Sequence, residues 1–293
     1  MVMHRFLLHN DQVLEAATRD LAAGQVGLMN GWGVFSTIRI AEGVLFAFER
    51  HWDRMRRDAK RLRVPFPADP EWMHARLMRL VEANCATDAT MRVVVVRNRG
   101  GMWQGPGIDC DFDLIAFTSE MAHWPAVVRL GVKPAARYSQ SEFSSTKMMS
   151  WAQNLIYYEE ARERGFDEYV LLNERGEIAE CTSANIFAVF GSTVCTPPLS
   201  SGCLPGVTRA LLLNEIKAPG YTTVERPLPP ADLEKADQVL ISSTTRDLLV
   251  VESIEGLSIG NKGDACAVLE EALSEYRARY IREHAHAMPA IPK

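Results

Sequence analysis

The sequence predicts an α/β (α+β) protein of two domains, on three observations. The chain has 293 residues, and at roughly 150 residues per domain that is room for about two. Short β-branched runs alternate with amphipathic helical stretches along its length. Composition shifts at Ser119–Pro125, a polar stretch ending in Trp-Pro. The expected division is a first domain over 1–120, a linker over 121–130 and a second domain over 131–293.

Each element has its own signal. Phe6–His9 and a run near Gln12–Ala17, separated by Asn10-Asp11, read as strands. Val34–Ile40 alternates and is β-branched, and Glu42-Gly43 turns it into Val44–Phe48 as a hairpin. Between Glu49 and Val64, Trp52, Met55, Ala59 and Leu62 recur every three or four positions, the mark of an amphipathic helix. A second helix starts after Pro70 and runs to about Ala86, with Leu77, Leu80 and Val81 on its apolar face. Arg92–Arg97 is a strand, Asn98–Gly107 a glycine-rich loop containing Trp103, and Phe112–Thr118 the returning strand. The second domain is expected to hold strands near Val127–Val132, Glu168–Asn173, Asn185–Phe190, Tyr221–Arg226, Gln238–Ser242 and Leu248–Glu252. Helices fit Gln153–Arg164, Val207–Lys217 and Ala265–His284.

Composition excludes several classes of function. Hydrophobic residues at 47% and charged residues at 24% are ordinary globular values. A chain of this length buries about three quarters of its unfolded surface, so its core needs neither disulfide nor structural metal. With 32 Lys+Arg against 37 Asp+Glu the net charge is −5, which argues against a nucleic-acid partner, because phosphate-backbone affinity needs clustered cations. There is no apolar run of about 18 residues to span a membrane. Met1–Phe6 lacks the charged-then-apolar order of a signal peptide, so a cytoplasmic protein is expected. Both nucleotide-binding fingerprints, GxGxxG and GxxxxGK[ST], are absent. The six cysteines make no C-x-x-C pair and no zinc spacing. Cys181, Cys195 and Cys203 fall near a candidate site, as a reactive thiol or as small buried hydrophobes. His284 and His286 lack partners on a polar helix end, so no metal site is expected.

Three features fit a phosphate. Leu204-Pro205-Gly206-Val207-Thr208-Arg209 opens an apolar helix, whose Val207 and Thr208 amides would face an anion at a positive helix end. A plain helix start with Thr208 near the cap is the alternative. Ser242–Thr245 follows an apolar strand and offers hydroxyls, or is a simple β-turn. On the basic helix, His51 and Arg54 share one side at i and i+3, and an Arg fork suits phosphate. Lys147 interrupts the small and apolar run Phe143–Trp151. It is either a surface lysine with a buried stem or a desolvated, nucleophilic amine suited to Schiff-base chemistry. Glu180 enters the otherwise uncharged segment Ala179–Phe187, where a carboxylate needs a partner.

Taken together, these motifs resemble the fold-type IV (class IV) pyridoxal-phosphate enzymes: branched-chain aminotransferases, D-amino-acid aminotransferases and aminodeoxychorismate lyases. The resemblance runs from Gly31–Arg39 through His51-x-x-Arg54, Lys147, Gly165–Leu172, Glu180-x-x-x-Ala184-Asn185-Ile186-Phe187 and Leu204–Arg209 to Ser242–Thr245. It implies a smaller N-terminal α/β domain and a larger C-terminal pseudo-barrel domain, with pyridoxal 5'-phosphate between them. Lys147 would bind the cofactor aldehyde and, once released, move a proton. Glu180 would keep the pyridine nitrogen protonated. Arg54, the Val207 and Thr208 amides, the Thr208 hydroxyl and Thr244 would hold the phosphate. Phe35, Thr37, Arg39 and Arg97 would shape the substrate pocket, with Ser243, Thr244 and Thr245 as a carboxylate cradle. Arg54 and Lys147 fall on opposite sides of the linker.

The resemblance also implies a homodimer, with the loop aromatics Trp32 and Trp103 as either subunit contacts or buried anchors. The reaction it implies is transfer of an amino group between a small amino acid, branched-chain ones included, and a 2-oxo acid. A lyase releasing pyruvate from 4-amino-4-deoxychorismate is the second reading, and a cofactor-binding protein without turnover the third. Branched-chain enzymes usually carry F-E-G-I-R where this chain has Phe35-Ser36-Thr37-Ile38-Arg39. Many also place a Tyr five residues after the lysine, where this chain has Ala152. Arg97-Asn98-Arg99 lacks the His of the D-amino-acid pattern. The non-acidic residue at 36 and the stretch Arg97–Trp103 lean towards the lyase branch.

Overall fold

The computed structural model describes residues 2–18, 25–102 and 109–285; Trp103 and His286 lie outside them. They form two compact units. The first comprises the residues up to Ala122, the segment Lys147–Trp151 and the chain from Ala278 onward. The second comprises His123–Thr146 and Ala152–Arg277. The division near residue 122 falls inside the expected linker, but two pieces from beyond it pack with the first unit. Lys147 thus belongs with Arg54, not across a boundary from it.

The first unit is a sheet covered by helices. Its elements are β1 (Met3–His9), β2 (Gln12–Glu15), α1 (Val26–Asn30), β3 (Gly33–Ala41), β4 (Val44–Leu45), α2 (Phe48–Arg61), α3 (Pro70–Ala83), β5 (Asp88–Arg97) and β6 (Phe112–Glu120). The sheet order is β2-β1-β6-β5-β3-β4, with every pairing antiparallel. Alternation sends Val34, Ile38, Met91, Val93 and Ala116 to one face, where Trp52 and Met55 of α2 and Leu77 of α3 complete the core. The hairpin expected to run to Phe48 ends at Leu45. Ala47 takes the left-handed conformation (φ 53°) and Phe48 opens α2. A short apolar run is compatible with either element, and here the chain reversal decides.

Because β4 pairs only with Ile40 and Ala41, the opposite end of β3 has an open edge. The inserted segment fills it. Phe35 N–H donates to the Lys147 carbonyl at 3.2 Å and Met149 N–H to the Gly33 carbonyl at 2.9 Å, around an antiparallel bridge between Val34 and Met148. Gly33 permits this approach, since a Cβ there would meet Met149 Sδ at 2.5 Å and the Val95 carbonyl at 2.6 Å.

The second unit holds β7 (Val127–Arg137), α4 (Ala152–Glu163), β8 (Glu168–Asn173), β9 (Ile178–Cys181), β10 (Asn185–Phe190), β11 (Thr193–Thr196), α5 (Val207–Asn214), β12 (Thr222–Glu225), α6 (Pro230–Leu233), β13 (Gln238–Ser243) and β14 (Asp247–Ile254). The start of α7 (Ala265–His284) also belongs to it. Its sheet order is β12-β11-β10-β13-β14-β7-β8-β9. In this order β9 and β10 stand five places apart, about 24 Å in a flat sheet at ~4.8 Å per strand. Residues 182–184 join them, and such a link spans at most about 14 Å. The sheet must therefore curl into a half-barrel, which the expected pseudo-barrel anticipated. Strands β9 and β11 were not expected. Each has four residues, and β9 carries Glu180 inside a buried run, so neither shows alternation.

The end of α7 is tied into the first unit by Tyr280. Its hydroxyl bonds Glu49 Oε2 at 2.7 Å and accepts from Phe48 N–H at 3.3 Å. Its ring meets Phe46 edge-on at 5.3 Å and carries the stacked ring of His284 at 3.8 Å. Tyr280→Ala is expected to cost about 3–5 kcal/mol, the range for losing a buried aromatic. Tyr280→Phe should cost only about 1 kcal/mol, the hydrogen-bond share. Denaturant titration with amide exchange in the first unit measures both.

Candidate active site

In the first unit the basic helix α2 meets the edge segment. Ser36, on the helix side of the sheet and fully buried, is the hub. Its hydroxyl lies 2.7 Å from His51 Nδ1 and accepts from Arg54 Nη2 at 2.8 Å. Burial pulls the Arg54 guanidinium down to about 10, Asp58 counteracts and Arg57 adds to the fall. The group stays charged at neutral pH. His51 is pushed well below the ordinary imidazole range by burial, then by Arg54 and Lys147, so it is neutral. Its Nε2 is buried without a hydrogen-bond partner.

Lys147 sits where the two sheet faces meet at the open edge. Asp58 Oδ2 accepts its amide N–H at 2.9 Å. Its amine lies 4.6 Å from the Phe35 ring centre and 5.8 Å from that of Trp151. The apolar setting read from the sequence is therefore a pair of aromatic rings, in edge contact with one another at 5.9 Å.

Phe35, Thr37 and Arg39 alternate to the face opposite the helices, as their spacing requires. The register Thr37↔Arg92 brings Arg92 to the same face. Its guanidinium stacks 3.6 Å over Phe35, lies 5.8 Å from Trp151 and donates to Thr37 Oγ1 at 3.4 Å. Burial pulls Arg92 down to about 10. Sequence reasoning missed it, although Arg92 begins the run it read as a strand. Pairing parity with β3 was the available signal.

Arg97, five residues on, has the other parity. It stacks on Trp32 at 4.3 Å and donates to the carbonyls of Arg99, at 2.5 Å, and Arg63. The structure thus brings Arg92, not Arg97, to Phe35 and Thr37. Trp32 is itself an anchor: its indole N–H donates to the Leu62 carbonyl at 2.7 Å.

In the second unit, buried Glu180 receives Arg137 Nε at 3.0 Å on one oxygen and the Leu204 amide at 2.9 Å on the other. Arg137 is the cationic partner the sequence called for without naming. Leu204 leads to Gly206, the N-cap of α5, with no side-chain cap bond. The amides of Val207 and Thr208 are then first-turn donors, which a helix leaves unbonded. Position 206 must be glycine because a Cβ would collide with Asn185 Oδ1, while Asn185 Nδ2 holds the Leu204 carbonyl at 2.8 Å. Arg209 faces away from this end, donating to the Pro197 carbonyl at 2.7 Å and to Glu225.

Ser243 ends β13, and Thr244, Thr245 and Arg246 form the turn to β14. The turn is pinned by Arg246, which pairs with buried Glu168, donates to Ser183 Oγ at 2.8 Å and stacks on Trp124 at 3.9 Å. Trp124 in turn donates to the Thr245 carbonyl at 3.1 Å.

Residues 33–254 match the model of the family described as amino-transferase class IV. A putative branched-chain-amino-acid aminotransferase of Methanocaldococcus jannaschii is 30% identical over 262 residues, covering 87% of this chain and 90% of the relative. Among solved structures, a hypothetical aminotransferase from Mycobacterium tuberculosis in its PLP-bound form superposes with a TM-score of 0.81 at 20% identity, covering 94% of this chain and 99% of that one. A putative 4-amino-4-deoxychorismate lyase of Legionella pneumophila superposes with a TM-score of 0.80 at 22% identity, covering 89% of this chain and 96% of that one. The chain belongs to the class IV aminotransferase family.

Two of the candidate thiols, Cys181 and Cys203, are buried and held in the thiol form. Burial, helped by Glu180, pushes Cys203 up to about 12, and burial raises Cys181 well above the ordinary thiol range. At pH 8 a thiol of pKa 12 is thiolate in roughly one molecule in ten thousand, and the thiolate is the reacting form. Iodoacetamide on the native protein should label exposed Cys85 and spare Cys181 and Cys203, as read by peptide mass spectrometry. Their labelling at comparable rates would contradict this.

Proposed function

We propose that this protein is a pyridoxal 5'-phosphate-dependent transaminase acting on small amino acids, branched-chain ones included, and their 2-oxo acids. The observation that carries the reading is Lys147: its peptide is bonded on both sides, by Asp58 and Phe35, while its amine lies among aromatic rings. That is a fixed base with a mobile nucleophile.

The donor set fits the cofactor group by group. In the first unit, Arg54 and its neighbour His51 with an unfilled buried nitrogen suit a phosphate, and in the second the uncapped start of α5 does so by itself. Glu180 uses one lone pair on each oxygen for Arg137 and Leu204, and a carboxylate has about four. It can therefore also accept from a protonated ring nitrogen. When bound, the cofactor supplies an electron sink that makes the substrate Cα–H acidic.

The chain's own residues do the rest. Lys147 holds the cofactor and then carries the proton removed from Cα. Glu180, oriented by Arg137, keeps the ring nitrogen charged. Arg54, the Val207 and Thr208 amides, the Thr208 hydroxyl and Thr244 hold the phosphate. Arg92, a half-buried cation with Phe35 and Thr37 beside it and Arg39 on the same face, is a receptor for a substrate carboxylate, and in the second unit Ser243 and Thr245 are further candidate donors. A homodimer in the cytoplasm completes the reading, and free cysteines suit that reducing compartment.

The lyase reading rested partly on Ser36. Its hydroxyl serves Arg54 and His51 on the helix side, so the missing acidic residue bears on the phosphate-holding arginine rather than on substrate choice. That removes its weight for the lyase.

The protein is expected to be yellow; borohydride should bleach the colour and leave the cofactor attached to Lys147, and Lys147→Ala should abolish both the colour and the attachment. Amino acids added singly should convert it to the pyridoxamine form; no conversion with any L- or D-amino acid would contradict transamination. Arg92→Leu should lower kcat/KM about a hundredfold, the scale of losing a charged hydrogen bond worth ~2–3 kcal/mol, mainly through KM. Arg97→Leu should leave it within about threefold. The reverse order would return the substrate role to Arg97.

A further inference from the structure

We propose that Asp58 is the positioning residue that fixes Lys147 for its role, an inference that rests on the transaminase reading above. Asp58 is 1% exposed and lies four residues after Arg54 on α2, one helical turn along the same side. One oxygen accepts the Lys147 amide at 2.9 Å. The other accepts Arg57 Nε at 2.9 Å and Nη2 at 2.6 Å. The same charge supports the buried Arg54 guanidinium against burial and against Arg57.

The need for such a clamp follows from how the segment is held. Only Lys147–Trp151 packs with the first unit, and the residues on either side, Thr146 and Ala152, belong to the second. The short pairing with Gly33 and Phe35 bonds the Lys147 carbonyl and the Met149 amide. Asp58 bonds the Lys147 amide that this pairing leaves over. A charged acceptor makes hydrogen bonds roughly twice as strong as a neutral one, and Arg57 holds the carboxylate in place. With its peptide immobile, the Lys147 side chain alone carries the movement between holding a cofactor and transferring a proton.

Hydrogen exchange at the Lys147 amide in full-length protein tests the bond. Two further readouts separate positioning from general damage: capture of pyridoxal 5'-phosphate at Lys147, trapped with cyanoborohydride, and affinity for pyridoxamine 5'-phosphate, which has no aldehyde. In Asp58→Ala, exchange at Lys147 is expected to rise roughly ten- to hundredfold, the range for losing a charged hydrogen bond. Capture should fall at least about tenfold, and by clearly more than pyridoxamine 5'-phosphate affinity, which Asp58 also touches through Arg54. Asp58→Asn keeps an acceptor oxygen without the charge and should fall between the parent and the alanine variant on exchange and capture, and it carries the test if the alanine variant does not fold.

Unchanged Lys147 protection in Asp58→Ala overturns the proposal. So does an equal loss of capture and pyridoxamine 5'-phosphate affinity, or an asparagine variant as impaired as the alanine one. A parent protein that captures no pyridoxal 5'-phosphate sinks the transaminase reading itself, and this proposal with it.

Discussion

The closing of the β3 edge by Lys147–Met149 is the contact on which the rest of the candidate chemistry depends. An exposed edge of backbone donors and acceptors is a liability in any sheet. Here β4 is two residues long and leaves that edge open at Gly33–Phe35. Filling it with a segment from elsewhere in the chain puts a lysine at a border between two environments. On one side lie the buried polar groups of α2, and on the other the aromatic face of Phe35 and Trp151. A residue inside a strand sees only one face. A residue at the edge is within reach of both.

The charge distribution follows from the same geometry. The whole chain carries −5, yet the first unit buries Arg54 and half-buries Arg92, each drawn down to about 10 by burial. Their solutions differ. Arg54 has a carboxylate one turn away and a hydroxyl hub in Ser36. Arg92 has a ring beneath it and a threonine at long hydrogen-bond distance. Aromatic faces stabilise a cation by about 0.5–2 kcal/mol, which offsets only part of its desolvation. The remainder is recoverable when an anion arrives. Glu168 and Arg246 in the second unit show the opposite case, a buried pair of opposite charges that serves to hold a turn.

Much of this was legible from residue order. Helix α2 and strand β3 announced themselves by period, and the other long helices and most strands fall on the expected spans. Lys147 and Glu180 stood out as charges in uncharged runs, and the structure supplies each with the neighbours such charges need. What was not legible shares one physical origin: information held in pairing rather than in the local sequence. The parity that separates Arg92 from Arg97 is set by the register of β5 against β3. Strand β9 is defined by its partner β8, not by its own four residues. The return of residues 147–151 to the first unit depends on an edge left open by a strand more than a hundred residues earlier.

Pairing parity also changes how the departures from the family pattern should be weighed. Residues 35 to 39 read as one motif, but they divide by face. Ser36 and Ile38 belong with α2 and the core, while Phe35, Thr37 and Arg39 belong with Arg92. The two substitutions against F-E-G-I-R therefore have separate consequences. Serine at 36 in place of an acidic residue removes a charge from beside Arg54, and Asp58, a turn further along α2, is the buried carboxylate that now supports that guanidinium. Threonine at 37 in place of glycine adds a side chain, and a hydrogen bond to Arg92, on the face where a substrate would lie. Of the two, residue 37 alone adds volume and an anchor beside the half-buried Arg92, so the change at 36 acts on the helix side of the sheet and the change at 37 on the opposite face.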